Sequence, residues 1–395
     1  MNTLPYYISW SKQKDATVFS IESVSGVKIK TSDGLTLTDM TSISYQAHFG
    51  HNHPVLIKNI KDQLDSIPMA SPKGIYPGKN ETTQELLNYM EKPEGKIFYT
   101  SGGSETIENA LKIARDITKK KIVLARKTSY HGATMGSLAA TGDWRNAGHQ
   151  LPENWVVRIP EPDETDAIIK TRRIVKDVGP QNIAAIIIET ITGGNGVYYG
   201  TQEWWDGIST ICRESNIMLI MDEVVCGFER TGKAFGYMHY DVSPDMICLA
   251  KGITGGMIPF GALWTNEKIA NYYEENILSC GLTNYAHPLG MAALKGVLEI
   301  VKDKFFQKNL KVCVELFKQR LNEISNLKNV KEVRVKGMLA AVELSAPIPW
   351  SQFYQKGLYL VSQPTRIILA PPLIINETEL SEAMNNVYAV IKENS

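Results

Sequence analysis

The chain has 395 residues, 43% of them hydrophobic, and its 42 lysines and arginines balance 42 aspartates and glutamates. That length fills two or three domains, or one large α/β domain with a satellite, and the zero net charge gives no long-range pull toward nucleic acid or an anionic membrane, so small molecules are the expected partners. Five cysteines (Cys212, Cys226, Cys248, Cys280, Cys313), odd in number and mostly inside apolar runs, argue for reduced thiols and a cytoplasmic setting, and neither the first 17 residues nor any apolar run of about 20 residues points to export or membrane insertion.

A small antiparallel meander opens the chain: residues 18–22 and 27–30 alternate about Gly26, and 35–39 follow the turn Ser32-Asp33-Gly34. Pro54 then begins a helix in which Val55, Ile57, Ile60, Leu64 and Ile67 recur at near-helical spacing until Pro68. From Lys96 the texture changes. Short apolar runs at 97–99, 121–124, 184–188, 218–221 and 246–249 alternate with helical stretches such as 105–118, and runs without in/out alternation suit strands buried on both faces of a mainly parallel sheet wrapped by helices. After His287 a long helical region carries Phe305, Phe306, Leu310, Cys313, Phe317, Leu321 and Ile324 on one side, and strands at 333–335 and 339–344 and a last helix follow. The expected fold class is therefore α/β, with a large domain over 54–287 and a smaller α+β domain over 288–395 that the N-terminal segment 1–53 joins. There is no internal repeat and no low-complexity tract.

Polar groups gather where these strands end. Thr100-Ser101-Gly102-Gly103-Ser104-Glu105 lies between an apolar run and a helix bearing Ile107, Ala110, Leu111, Ala114 and Ile117, and the backbone amides of such a helix start can hold a phosphate. The turn could equally serve structure alone, and it lacks the G-x-G-x-x-G spacing of a nicotinamide site. Tyr130-His131-Gly132 offers a tyrosine or a histidine to stack on a planar ring. Glu189 ends one run and Asp222-Glu223 end another, beyond the carboxyl ends of strands, where open parallel sheets bind ligands. A buried aspartate there would hold a pyridine nitrogen protonated; a helix cap or a salt bridge is the alternative. Lastly, Lys251 follows the run 246–249 into a loop containing Gly252, Gly255 and Gly256. It could snorkel to solvent, or, desolvated, it could keep a free amine that attacks a carbonyl. Amine, acid, amides and aromatic face together describe a site for a phosphorylated pyridine aldehyde, pyridoxal 5′-phosphate.

The segments 98–105, Tyr130-His131-Gly132, Met221-Asp222-Glu223-Val224, Ala250-Lys251-Gly252 and 283–288 stand in an order and spacing that resembles class III (ω-type) aminotransferases, which are fold-type I pyridoxal-phosphate enzymes, and the likeness runs from about Asp39 to Pro372. The resemblance implies a sheet of the seven-stranded type and a set of roles. Lys251 is similar to the Schiff-base lysine that also shuttles the proton, and Asp222 to the partner of the ring nitrogen; these two are the expected catalytic residues. Val224 resembles the residue packed on the ring face opposite Tyr130, Gly103 and Ser104 the phosphate cup, and Glu189 the acid beside the cofactor. Thr283 is similar to a threonine donated to the phosphate across a dimer interface, which implies a homodimer with shared active sites. Tyr45 aligns with an aromatic wall of the substrate pocket, and Arg145 is a further pocket candidate. The implied activity is ping-pong transfer of an amino group from an amine or ω-amino acid donor to a keto-acid acceptor such as pyruvate. Aminomutase, racemase or phospho-lyase outcomes stay open, as does a homologue that binds the cofactor without turnover.

The chain departs from the family pattern in places. Val225 replaces a common glutamine, Glu229 stands where glycine is usual, and Ile368 occupies the place, three residues before Pro371-Pro372, of an arginine that receives α-carboxylates. Arg366 is the remaining candidate on that segment. His48, His51 and His53 match no standard metal spacing, so no metal is expected, and Trp204 and Trp205 read as core or interface.

Overall fold

The computed structural model describes residues 4–149 and 155–395. Strands β1 (Ile21–Ser25), β2 (Lys28–Thr31) and β3 (Thr36–Asp39) form the antiparallel meander, and a two-residue strand at Leu358–Tyr359 joins β3 in parallel. The two ends of the chain therefore meet in one small sheet.

The central sheet contains β4 (Lys96–Thr100), β5 (Ile122–Arg126), β6 (Val156–Ile159), β7 (Ile183–Glu189), β8 (Met218–Asp222), β9 (Met246–Leu249) and β10 (Gly261–Thr265). Its seven strands run in the order β4-β10-β9-β8-β7-β5-β6. The pairs from β6 through β9 are parallel, and β10 lies antiparallel between β9 and β4. Strand periodicity sorts the apolar runs onto two faces: Leu124, Ile186, Ile188, Leu219 and Met221 enter one buried cluster, and Val123, Ala125, Ala185, Ile187 and Ile220 another. Each such valine, leucine, isoleucine or methionine contributes about 2 kcal/mol of burial, the alanines less. The helix Gly103–Thr118 covers the second face through Ile107, Ala110, Leu111, Ile113 and Ala114.

The C-terminal part holds β11 (Val330–Lys336), β12 (Leu339–Leu344), β13 (Leu358–Tyr359), β14 (Val361–Gln363) and β15 (Arg366–Leu369); β13 is the strand that pairs with β3, and the others form an antiparallel sheet in the order β11-β12-β15-β14. The helical region before it departs from expectation. It is two helices, Pro288–Lys302 and Lys304–Ser325, because the Asp303 side chain caps the second by accepting from the Phe306 amide at 2.8 Å. Phe305 falls in that first turn and is 84% exposed, so it is not part of the apolar face. In Pro54–Ser66 the fully buried residue is Leu56, outside the expected stripe, and Leu64 is exposed. Trp204 and Trp205 are both core, packed edge to face at 4.9 Å. The cysteines are free thiols, and among the described residues no helix is long and apolar enough to cross a membrane.

Candidate active site

Parallel strands deliver their following loops to one edge of the sheet. Gly102 and Gly103 follow β4, Tyr130 and His131 follow β5, Glu189 and Asp222 end β7 and β8, and Lys251 comes two residues after β9. Glu189 and Asp222 are register partners across β7 and β8. The structure brings Gly103, Ser104, Tyr130, Glu189, Asp222, Val224 and Lys251 to the lining of one cavity of about 340 Å³, a size suited to a small cofactor.

Lys251 is half-buried in the cavity wall. Burial pulls its pKa below the usual lysine value, against the opposing charges of Asp222 and Glu189. Lys251 adopts φ 48°, in the left-handed region, a strain of about 1–3 kcal/mol of the kind found at functional sites. Glu189 is buried, which pushes its carboxyl up; its oxygens accept from the amides of Tyr130 at 3.0 Å and Gly193 at 3.1 Å. Asp222 is fixed from two sides, with Oδ1 accepting from the Val224 amide at 3.0 Å and Oδ2 lying 2.8 Å from His131 Nδ1. Of the two acids at the end of β8, Asp222 faces the cavity. Glu223 turns to the other side and accepts from Thr190 Oγ1 (2.6 Å), Gly236 N (2.7 Å) and Tyr237 N (2.8 Å).

The helix Gly103–Thr118 presents its first amides, Gly103, Ser104 and Glu105, without partners inside the helix. Two glycines keep this corner open. A Cβ at Gly103 would lie 3.1 Å from Val224 Cγ1, and Gly132, at φ 139°, would put one 2.4 Å from Ser104 Oγ. Ser104 Oγ accepts from the Ala133 amide at 3.1 Å, which ties this helix start to the loop of Tyr130.

Other expected residues lie around the cavity. Tyr45 stands beside Lys251, whose Nζ is 5.8 Å from its ring centre, and burial raises the tyrosine pKa. The Arg145 guanidinium is 4.6 Å from the Tyr130 ring centre. Arg366 is turned into the C-terminal sheet, where its Nε donates to Glu343 Oε1 at 2.6 Å. Thr283 is exposed and does not line the cavity. His51 binds Asp39 at 3.1 Å and His48 faces the Tyr45 carbonyl at 3.0 Å. Sequence reasoning missed the pairing of His131 with Asp222 and the hold of Glu343 on Arg366. The only sequence signal for the first was a histidine in the loop after a strand; the second depends on pairing between β12 and β15.

A model of the class III aminotransferases matches residues 9–391. The chain belongs to this family. It is 31% identical over 382 residues to the acetylornithine aminotransferase of Caldanaerobacter subterraneus, covering 93% of each chain, and 26% identical to an omega-aminotransferase of Caulobacter vibrioides, covering 94% of this chain and 93% of that one. Among solved structures it is similar to the taurine:2-oxoglutarate aminotransferase of Bifidobacterium kashiwanohense, in complex with pyridoxal 5′-phosphate and glutamate, with a TM-score of 0.92, 29% identity, and coverage of 98% of this chain and 95% of that one. The aminotransferase fold is thus fold type I, and its cofactor is pyridoxal 5′-phosphate. The cavity of this aminotransferase fits that group: a desolvated amine with lowered pKa, a fixed carboxylate across from it, and a helix start held open by two glycines meet the needs of an aldehyde, a ring nitrogen and a phosphate.

Proposed function

We propose that this aminotransferase moves an amino group from an amine or ω-amino acid to a keto acid such as pyruvate, in two half-reactions at one site. The observation that carries the choice of donor is the state of β15: Arg366 is engaged by Glu343, and Ile368 is buried in an apolar cluster against which Tyr45 and Val225 pack. The cation that β15 offers an α-carboxylate is already paired.

In this reading Lys251 would supply the amine that holds the cofactor and would move the proton of the substrate carbon, and desolvation, which lowers its pKa, favours the free amine that both roles need. Pyridoxal 5′-phosphate supplies the electron sink and carries nitrogen from donor to acceptor. Asp222 holds the proton on the ring nitrogen, and His131 positions Asp222. Amides of Gly103 and Ser104 bind the phosphate. Tyr130, Val224 and Glu189, which line the cavity, would hold the cofactor's ring, and Tyr45 would wall the substrate side. Thr283 from a second copy of the chain would complete the phosphate site. A homodimer is supported by the exposure of Thr283 and its place outside the lining of its own cavity. Residues 54–287 form the large cofactor-binding domain, and 1–53 with 288–395 the small one.

The test is transfer of label. The loaded enzyme is given a ¹⁵N-amine donor and pyruvate, and the product is examined for ¹⁵N-alanine by mass spectrometry. Label in alanine is the expected result; donor consumed without labelled alanine would sink the reading in favour of a mutase, racemase or lyase outcome.

A further inference from the structure

Ser42, Ile43, Ser44 and Tyr45 have φ values of 50, 42, 58 and 68°, so four successive residues occupy the left-handed region without a glycine among them. Crowding of the side chain against the backbone makes that conformation costly at each residue, and it persists only where the surroundings dictate it. The start of the turn is held from two sides. The buried carboxylate of Asp39 accepts from the Thr41 amide at 3.0 Å (Oδ1) and from the Ile43 amide at 3.0 Å (Oδ2). Ser42 Oγ donates to the Ala370 carbonyl at 2.6 Å and accepts from Arg230 Nη2 at 3.0 Å. The end of the turn carries Tyr45, whose ring centre stands 5.8 Å from Lys251 Nζ, and the next residue, Gln46, lines the cavity.

His48 meets that end. Its buried imidazole has Nδ1 3.0 Å from the Tyr45 carbonyl oxygen and Nε2 3.3 Å from that of Gly227. A Cβ on Gly252, the residue after Lys251, would lie 3.0 Å from His48 Cδ2 and Nε2. The ring is thus wedged between the turn of Tyr45, the loop that follows Asp222 and the loop of Lys251. Two carbonyls call for two N–H groups. Burial, and after it the charge of Arg230, nevertheless holds the His48 pKa well below the usual imidazole value, so the ring is neutral and has one N–H to give. The closer acceptor is the Tyr45 carbonyl.

We propose that His48, protonated on Nδ1, is a positioning residue: it pins the Tyr45 carbonyl, keeps the end of the strained turn in place and so sets where the Tyr45 ring stands beside Lys251 when a donor is seated. The effect on donors rests on the transaminase reading, while the hold on the turn rests on geometry alone. His48 does not line the cavity, so it acts through its neighbours.

The test pairs two substitutions in the loaded enzyme. The amide nitrogen of asparagine stands as many bonds from Cα as Nδ1 does, and that of glutamine as many as Nε2, so His48→Asn keeps a donor for Tyr45 and His48→Gln moves it toward Gly227. With 4-aminobutanoate or 1-aminobutane as donor and pyruvate as acceptor, His48→Gln should raise the donor KM about 5- to 10-fold, the worth of one hydrogen bond, with kcat little changed. His48→Asn should stay near wild type. Glutamine is the closer match to histidine in volume, so a role in packing alone predicts the reverse order. Equal values in the two variants, or that reverse order, overturn the proposal, as does a difference between them that persists in a Tyr45→Ala background. A second readout needs no turnover: in the holoenzyme labelled with ¹⁵N-histidine, the NMR signal that His48→Asn removes should have the shifts of a neutral ring protonated on Nδ1. A ring protonated on Nε2, or on both nitrogens, overturns the proposal. The Nδ1 signal in an enzyme that converts no donor instead sinks the transaminase reading and leaves the hold on Tyr45 standing.

Discussion

Oδ2 of Asp222 lies 2.8 Å from Nδ1 of His131, and both side chains are buried at the carboxyl edge of the sheet. The His131 amide donates to Thr141 Oγ1 at 2.9 Å, so the segment carrying the imidazole is itself tethered. A carboxylate held by a ring N–H and by the Val224 amide has no freedom to turn from its charge partner. Asp222→Asn should therefore lower the transamination rate by roughly 100-fold or more while the cofactor is still retained, with steady-state rates and the visible absorbance of the bound cofactor measured on the same sample. Wild-type turnover in that variant would remove Asp222 from its assigned role.

Lys251→Ala addresses the amine. The variant should lose turnover, and borohydride reduction should no longer fix the cofactor to the peptide containing position 251. Peptide mapping decides the matter, since a second modified lysine would show that another amine does the chemistry.

The central strands and the acids at their ends were legible in sequence because each fully buried strand reads as an unbroken apolar run, and the polar residues that end it fall at the ligand edge by topology alone. β10 was not legible. Gly261–Thr265 is as apolar as its neighbours, but nothing local says that it enters the sheet antiparallel between β9 and β4. The site divides the same way. Lys251 and Asp222 announce themselves as charged residues closing apolar runs, whereas Glu343 lies on an ordinary strand, and its grip on Arg366 exists only once β12 and β15 are paired. The capping of Asp303 onto Phe306 was missed because helical periodicity continues through the break.

Thr283 offers a test of shared sites. If it reaches the phosphate of a second copy, Thr283→Ala should weaken cofactor binding by roughly 5- to 10-fold, the worth of one hydrogen bond, without changing the mass in analytical ultracentrifugation. Unaltered cofactor affinity would place the threonine outside the phosphate site; a monomeric mass for the wild type would remove the shared site altogether.

Arg230 is a stability element. Its buried guanidinium donates to the Pro371 carbonyl at 2.7 Å, the Met338 carbonyl at 3.1 Å and Ser42 Oγ at 3.0 Å, clamping the N-terminal segment, the turn before β12 and the end of β15. Removal leaves several buried acceptors without donors, so Arg230→Ala should cost about 3 kcal/mol or more, seen as a lower thermal midpoint. Arg230→Lys should recover only part of this, because one ammonium cannot span the same three acceptors. A thermal midpoint equal to wild type in the alanine variant would refute the clamp.

Glu223 links the fold to pH. Burial pushes its carboxyl up to about 7 from 4.5, although the hydroxyl of Thr190 and the amides of Gly236 and Tyr237 oppose the shift. In the unfolded chain the same group titrates at its ordinary value, so the folded state holds this proton more tightly. The stability it contributes is fully present below the unfolded pKa and is lost as pH rises through the folded one, by about 3 kcal/mol at most. Glu223→Gln removes that titration while keeping an acceptor for the donors around it. Chemical unfolding of both proteins at pH 5 and pH 8 isolates the effect, because other acids that desolvation pushes up, Glu189, Glu229 and Asp245, are common to both and cancel in the difference. The stability of the variant relative to wild type should improve from pH 5 to pH 8. A difference that stays constant across that range would mean that the three donors outweigh burial and that Glu223 is ionised throughout.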